Sequence, residues 1–213
     1  MAISSVPTVH FIRHAETAMN TGQKLVRGQS DPPLDAHGQQ EVQKLAQQFA
    51  GQPLHYIITS PLQRALATAQ AIAQATGAKL IVAPTLLPWH TGIHTGKSET
   101  EAQPDLMHAM THPEEPVEGG APYGAYYKRR LAFTHGLLDM VKRYPQSQIA
   151  VVDHSRGIAT LPSILSNGEE PIRYGSAGSP PPGSVTKVAL GPNGRWAIQD
   201  QTPPGPPGGV PNA

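Results

Sequence analysis

The sequence predicts an α/β protein, a three-layer α/β/α sandwich with a mostly parallel sheet and an antiparallel edge strand. Two observations lead there. Short β-branched apolar runs, Val9-His10-Phe11-Ile12, His55-Tyr56-Ile57-Ile58-Thr59, Lys79-Leu80-Ile81-Val82 and Ile149-Ala150-Val151-Val152-Asp153, alternate with segments of helical periodicity, and such alternation folds as right-handed crossovers around a parallel sheet. Two last runs, Val185 to Leu190 and Trp196 to Gln199, flank Pro192-Asn193-Gly194 and read as a hairpin that supplies the antiparallel edge.

The first strand, about 8–12, ends abruptly in Arg13-His14-Ala15-Glu16. A loop with Gly22, Gly28, Pro32 and Pro33 follows and is too polar for core. Asp35 caps a helix through about 49, in which Val42, Leu45, Ala46 and Phe49 share one face. The second strand runs into Ser60 as N-cap and Pro61 at the first helical position, so Arg64 falls in the first turn of a helix that Gly77 ends. Beyond the third strand, residues 84–122 are rich in Pro, Gly, His and acidic side chains, with a short helix near 99–110, and read as an insertion over the sheet edge and the site.

A long helix, about 122–143, presents Tyr127, Leu131, Thr134, Leu138 and Val141 on one face and Lys142 and Arg143 at its negative end. The basic run Lys128-Arg129-Arg130 is expected to scatter around its surface. The fourth strand delivers His154, and a helix begins near Gly157 with Pro162 as a kink point. Residues 1–201 are predicted to form a single domain; 202–213, with five prolines and three glycines, are predicted to be a disordered tail.

A chain of 213 residues suffices for one sizeable core. The absence of cysteine excludes a disulfide scaffold, thiolate catalysis and thiolate zinc sites. The amino terminus lacks a basic n-region and an apolar h-region, and no stretch approaches the ~20 apolar residues that cross a bilayer, so a soluble, cytoplasmic protein with no membrane partner is expected. A net charge of +1 without a basic stripe argues against nucleic acid as a partner.

The chemistry gathers at strand ends. An arginine beside a histidine at the carboxyl end of a buried strand reads as an anion clamp, because α/β sheets build their sites along that edge. Arg13-His14-Ala15-Glu16-Thr17, then Ser60-Pro61-Leu62-Gln63-Arg64-Ala65, then His154 together resemble the histidine phosphatase superfamily, the phosphoglycerate-mutase-like enzymes. The family pattern is Arg-His-Gly/Ala-Glu-Thr, Ser-Pro-x-x-Arg-Ala and a late His, here in the family's order. The resemblance implies that His14 attacks phosphorus and carries a phosphohistidine. Arg13 and Arg64 then bind phosphate through planar donors, His154 stabilises charge in the transition state, and Asn20 contacts the phosphate. Nearby arginines oppose protonation of His14 and keep it nucleophilic. The amide of Ser155 is expected to bind phosphate. Arg27, Gly28 and Gln29 are expected to form another rim, with Arg27 meeting a second negative group of the substrate.

One departure concerns the proton donor. Where many members have Leu-x-Glu-x-x-x-Gly, this chain has Leu86-Leu87-Pro88-Trp89-His90-Thr91-Gly92, with Pro88 at the Glu position. His90, titratable near neutrality on the same loop, becomes the candidate acid, with Glu99 and Glu101 as fallbacks. No metal and no cofactor is expected, since His90 and His94 lack a third ligand and the resembled family needs none. The predicted activity is metal-independent hydrolysis of a small phosphomonoester. Two alternatives stand beside it. The first is a phosphoglycerate-mutase-type phosphotransferase, for whose closed cap the 57 residues between Gly96 and His154 look short. The second is a catalytically silent phospholigand-binding protein, suggested by the missing Glu and by His154-Ser155-Arg156-Gly157 in place of His-Gly.

Overall fold

The computed structural model describes residues 6–20, 24–167, 180–191 and 193–203, with no side chains given for 162–167. Strand β1 (Thr8–Arg13) is buried along its whole length because it is flanked on both sides. β4 (Gln148–Asp153) pairs with it in parallel and β5 (Val185–Leu190) antiparallel. With β2 (Leu54–Thr59), β3 (Lys79–Val82) and β6 (Trp196–Thr202), these make one six-stranded sheet of order β3-β2-β4-β1-β5-β6. The first four positions run parallel, and the hairpin β5–β6 supplies the antiparallel edge.

Side chains alternate across a strand, so Phe11 and Val151 face one side and Ile12 and Val152 the other. Helices α1 (Ala36–Phe49) and α2 (Gln63–Thr76) cover the Ile12 face with Leu45, Phe49, Ala65 and Ile72. Helices α4 (Tyr123–Arg143) and α5 (Ser155–Asn167) cover the Phe11 face with Leu137, Val141, Ile158 and Leu161. His10 points to the Ile12 face as a neutral ring, edge-on to Phe49 at 5.3 Å, with its pKa pushed down to about 4 by burial and Lys187.

The insertion has a small core of its own. Ala102, Leu106 and Ala109 of α3 (Glu99–Thr111) pack with Val26, Trp89, Val117, Tyr123 and Tyr126, a cluster the composition of 84–122 did not announce. Among the described residues no helix is long and apolar enough to cross a membrane.

Several expected details shift. α2 begins at Gln63 with Leu62 as N-cap, and its first amide donates to Asp31 Oδ1 at 2.8 Å, so the cap comes from the preceding loop instead of Ser60. α5 begins at Ser155, directly after the strand. Thr202 is still in β6, paired with Val185. Gly22, Pro192, the side chain of Pro162 and the expected disordered tail from 204 on lie outside the described residues.

The buried face of α4 is Tyr126, Arg130, Thr134, Leu137 and Val141; Tyr127, Leu131 and Leu138 are half-buried. The basic run scatters around the helix as expected, with Lys128 exposed and Arg129 half-buried, but Arg130 does not reach the surface. Arg130 is fully buried and forks onto Asp153, Nη1 to Oδ2 at 2.8 Å and Nη2 to Oδ1 at 3.1 Å. Burial pushes the Asp153 carboxyl up, and Arg130 and the His154 amide pull it back down. Arg130 also donates to Leu86 O, and Arg129 to Thr85 O and Leu87 O, so the two guanidiniums hold the 85–88 loop. Gly157 is required below this pair, since a Cβ there would lie 1.9 Å from Asp153 Oδ2.

Arg130→Met strands the Asp153 carboxylate in the core, and breaking a buried pair in this way costs about 3–5 kcal/mol. The urea midpoint should fall accordingly, and Arg130→Met combined with Asp153→Leu should recover most of the loss. An unchanged midpoint in the single variant counts against the pair as an anchor.

Candidate active site

Three parallel strand ends converge at the carboxyl edge of the sheet. The β1–β4 register sets Arg13 beside Asp153, and the ladder continues as His14 N–H donates to Asp153 O at 2.9 Å. His14 is thereby placed abreast of His154, with ring centroids 5.2 Å apart. From β2, Ser60 N–H donates to Val152 O, and the Ser60 hydroxyl shares a 2.9 Å hydrogen bond with His154 Nε2. Because β4 is inserted between β1 and β2, this is the point where the sheet's order reverses, the usual place for a ligand in an open α/β sheet.

The partners of His14 fix its tautomer. Nδ1 lies 2.7 Å from Ala15 O, which only accepts, so Nδ1 carries the proton. Arg64 Nε, which only donates, lies 3.3 Å from Nε2, so Nε2 carries the lone pair. Arg64 sits in the first turn of α2 as expected, buried, with Nη1 donating to Ser30 O at 2.7 Å and lying 3.8 Å from the Asp31 carboxylate. Arg13 is buried, with Nη1 donating to Pro180 O; its backbone pairs with Ser184 O and Gly183 N–H. The segment from Pro180 to Ser184 thus walls the site, a contribution that nothing in its composition signalled.

Crowded positive charge defines the electrostatics. Burial pushes His14 well below its ordinary value, and Arg64 and Arg13 push it further. His154 is lowered by burial, then by His14 and Arg64. Burial and Arg27 bring Arg13 down to about 9 and Arg64 to about 10. Guanidiniums that depress one another in this way gain most from a shared dianion. The first amides of α5, which begins directly after His154, add the partial positive charge of a helix start.

The remaining expected residues are placed as follows. Asn20 Oδ1 accepts from Thr17 N–H and Oγ1, which leaves Nδ2 a buried donor with no hydrogen-bond partner among the described residues. Arg27 Nη2 lies 3.5 Å from Ser155 Oγ, joining that rim to the start of α5. Gly28, at φ +49°, lets its loop approach Thr91 and Thr95, where a Cβ would lie 2.4 Å from Thr91 Oγ1. Gln29 spends its side-chain amide on Pro88 O at 3.0 Å. Gly28 and Gln29 therefore join two loops, while Arg27 faces the charged cluster.

His90 is exposed between buried Trp89 and Thr91, and its backbone carbonyl accepts from Ala121 N–H. His94 is buried with Nε2 3.6 Å from Asp105, so the two histidines do not share a ligand position. No group of three or more potential metal ligands occurs among the described residues. Glu99, at the start of α3, is close enough for its charge to act on Arg13.

Residues 9–201 match the model of the histidine phosphatase superfamily (branch 1). The chain is 39% identical over 159 residues to a protein of Yersinia enterocolitica named probable phosphoglycerate mutase GpmB, a match covering 74% of each chain. It is 40% identical over 85 residues to the protein of the same name in Serratia proteamaculans, spanning 40% of this chain and 39% of that relative. In three dimensions it resembles a mycobacterial glucosyl-3-phosphoglycerate phosphatase complexed with VO3, with a TM-score of 0.76 and 20% identity over 92% of this chain and 99% of the other. Bacillus stearothermophilus YhfR shares the fold at a TM-score of 0.73 and 23% identity, over 91% and 95% of the chains.

A lowered pKa keeps an imidazole neutral to lower pH. The acid limb of kcat/KM set by His14 should therefore lie below the ordinary histidine value of 6.5. Arg64→Gln removes a cation that depresses His14, so the limb should move up toward that value; a limb that stays in place removes Arg64 from the electrostatics of His14.

Proposed function

The chain belongs to the histidine phosphatase superfamily, and on that premise we propose that it is a metal-independent phosphomonoester hydrolase working through a phosphohistidine on His14. The observation that carries this reading is the state of the His14 ring: neutral, its Nδ1 proton tied to Ala15 O and its Nε2 lone pair beside the guanidinium of Arg64. Phosphoryl transfer needs an in-line nucleophile, cations on the equatorial oxygens and a proton for the leaving oxygen. His14 is the first of these. Arg13, Arg27 and Arg64, with His154 and the amide of Ser155, form the anion pocket, and Asn20 Nδ2 adds a donor at its edge.

When a phosphoryl dianion enters, Arg64 exchanges the His14 lone pair for a phosphate oxygen, which frees Nε2 to attack. Bond formation from Nε2 to phosphorus accompanies departure of the alkoxide, and water later displaces the phosphoryl group from the ring. Two groups compete for the proton to the leaving oxygen. His90 occupies the loop position expected from the sequence, and Glu99 has its charge acting on Arg13.

The names of relatives point to two fates of the phosphohistidine, transfer to another oxygen of a phosphoglycerate or loss to water. Hydrolysis is favoured by the short stretch between Gly96 and His154 available to close over the site. The substrate class is a small phosphomonoester.

Hydrolysis of an aryl phosphate in chelator, followed by mass spectrometry of acid-quenched protein, should give inorganic phosphate and an adduct on His14. His14→Ala should lose both, and turnover surviving in that variant rejects the nucleophile. Arg64→Ala should cost ~10²-fold in kcat, as for one preorganised donor. His90→Ala and Glu99→Gln separate the proton donors. The variant that fails on alkyl phosphates but spares aryl ones identifies the acid, since an activated leaving group needs little protonation. Conversion of 3-phosphoglycerate to its isomer without release of phosphate would establish the mutase reading instead.

A further inference from the structure

We propose that Glu41 is a positioning residue for the nucleophile, acting through the Ala15–Glu16 peptide, whose carbonyl holds the Nδ1 proton of His14 while its N–H is held by the Glu41 carboxylate. The inference rests on the reading of His14 as nucleophile. Both contacts belong to one peptide unit: His14 Nδ1–H donates to Ala15 O at 2.7 Å, and Glu16 N–H donates to Glu41 Oε2 at 2.7 Å. A peptide is conjugated from nitrogen to oxygen. Negative charge at its N–H end therefore makes its carbonyl a stronger acceptor, and hydrogen bonds in series reinforce one another. Glu41 is 4% exposed, so little water dilutes the effect. The arrangement does through a peptide what a carboxylate bonded directly to imidazole does in a hydrolytic triad: it fixes the tautomer and stabilises the imidazolium.

The start of α1 is built around this contact. Asp35 N–H donates to Glu16 O at 3.3 Å. Gly38 permits the approach, since a Cβ there would lie 2.1 Å from Glu16 O. One turn later Glu41 comes beneath the Glu16 amide. The groups facing Glu41 are His37, 3.8 Å from Oε1, together with Glu16 and Asp35. Burial raises the Glu41 carboxyl and the Glu16 amide lowers it, with a net shift upward. Those facing His14 are Arg64, Arg13, Arg27 and His154. The three guanidiniums oppose positive charge on the ring, and Glu41 supplies the opposing charge through the other nitrogen.

The reaction needs that charge at one step. As the Nε2 lone pair bonds to phosphorus, the phosphorus–oxygen bond breaks, and its electron pair leaves on the oxygen, which takes a proton from the acid. Nδ1 keeps its proton, so the ring becomes cationic in the phosphoenzyme and returns to neutrality when water removes the phosphoryl group. Glu41 favours formation of the phosphoenzyme and slows its loss.

Glu41→Gln keeps an oxygen acceptor for the Glu16 amide and removes the charge, while Glu41→Asp retains the charge. Two readings are taken on each full-length protein: the proton chemical shift of His14 Nδ1–H by NMR, and the rate of phosphoenzyme formation from an aryl phosphate by rapid quench. In Glu41→Gln the proton should move upfield and phosphoenzyme formation should slow about tenfold, less than for a donor that touches the transition state, with KM within twofold of wild type. Glu41→Asp should restore part of both. A folded Glu41→Gln protein with shift and rate unchanged, or Gln and Asp variants that behave alike, overturns the proposal. Should Glu41→Gln not fold, the wild-type Nδ1 proton must move upfield as pH falls through protonation of Glu41, and a static signal overturns the proposal equally. If the proton responds to Glu41→Gln but wild type forms no phosphoenzyme, the hydrolase reading fails and the Glu41 relay stands.

Discussion

Asp153 is the residue on which the site and its supports depend. Its carbonyl receives the His14 amide and carries the β1–β4 ladder one step beyond the strand, which sets the two histidines side by side. Its carboxylate is spent on Arg130, which reaches on to Leu86 O and so fixes the loop that would cover the site. The next residue is His154, and the approach of Gly157 to the same carboxylate sets where α5 begins. A buried pair of this kind is weak evidence for stability as such, because desolvation offsets the attraction. Its value here is geometric, since one side chain ties the central strand, the long helix and the insertion together at the edge where the chemistry lies.

Around that anchor the site separates charge by face. The alternation of β1 and β4 turns Arg13 and Asp153 toward α4 and α5, and His14 and His154 toward α1 and α2. His14 meets Arg64 from one helix and, through a peptide, Glu41 from the other. Cations gather on the Nε2 side, where a phosphoryl group would enter, and the anion lies behind Nδ1.

The fold was legible because its signals are local. Val9 to Ile12 and Ile149 to Val152 are apolar runs that only a doubly flanked strand explains, and the 185–199 hairpin carries its own turn residues. His14, Arg13, Arg64 and His154 were legible because they follow such runs in a recognisable order. Arg130 was not, because a charged residue in Lys128-Arg129-Arg130 reads as solvated unless its buried partner, 23 residues on, is known. Ser60 was read as a helix cap, whereas Asp31 caps the helix and Ser60 holds His154. Glu41 was hidden for a similar reason: a single acid in an amphipathic helix looks like surface until the loop before it folds back over Gly38.

The substitution at position 88 bears on what the site can process. Here the position contributes a carbonyl instead of a carboxylate, and that carbonyl is held by Gln29 at 3.0 Å and approached by Arg129 at 3.4 Å. The loop is thus a strut between the 27–30 rim and α4. Position 88 itself cannot deliver a proton, so general acid catalysis has to come from another residue or be dispensed with. In the proposed mechanism, attack by His14 and stabilisation by the arginines do not depend on that proton, because both act on the phosphoryl group itself. Esters with good leaving groups therefore need only the residues already assembled, and esters of ordinary alcohols need His90 or Glu99 to reach the leaving oxygen. On the proposed reading, substrate range is decided by where residues 84–122 place those two side chains, and the phosphoryl chemistry by the sheet edge beneath.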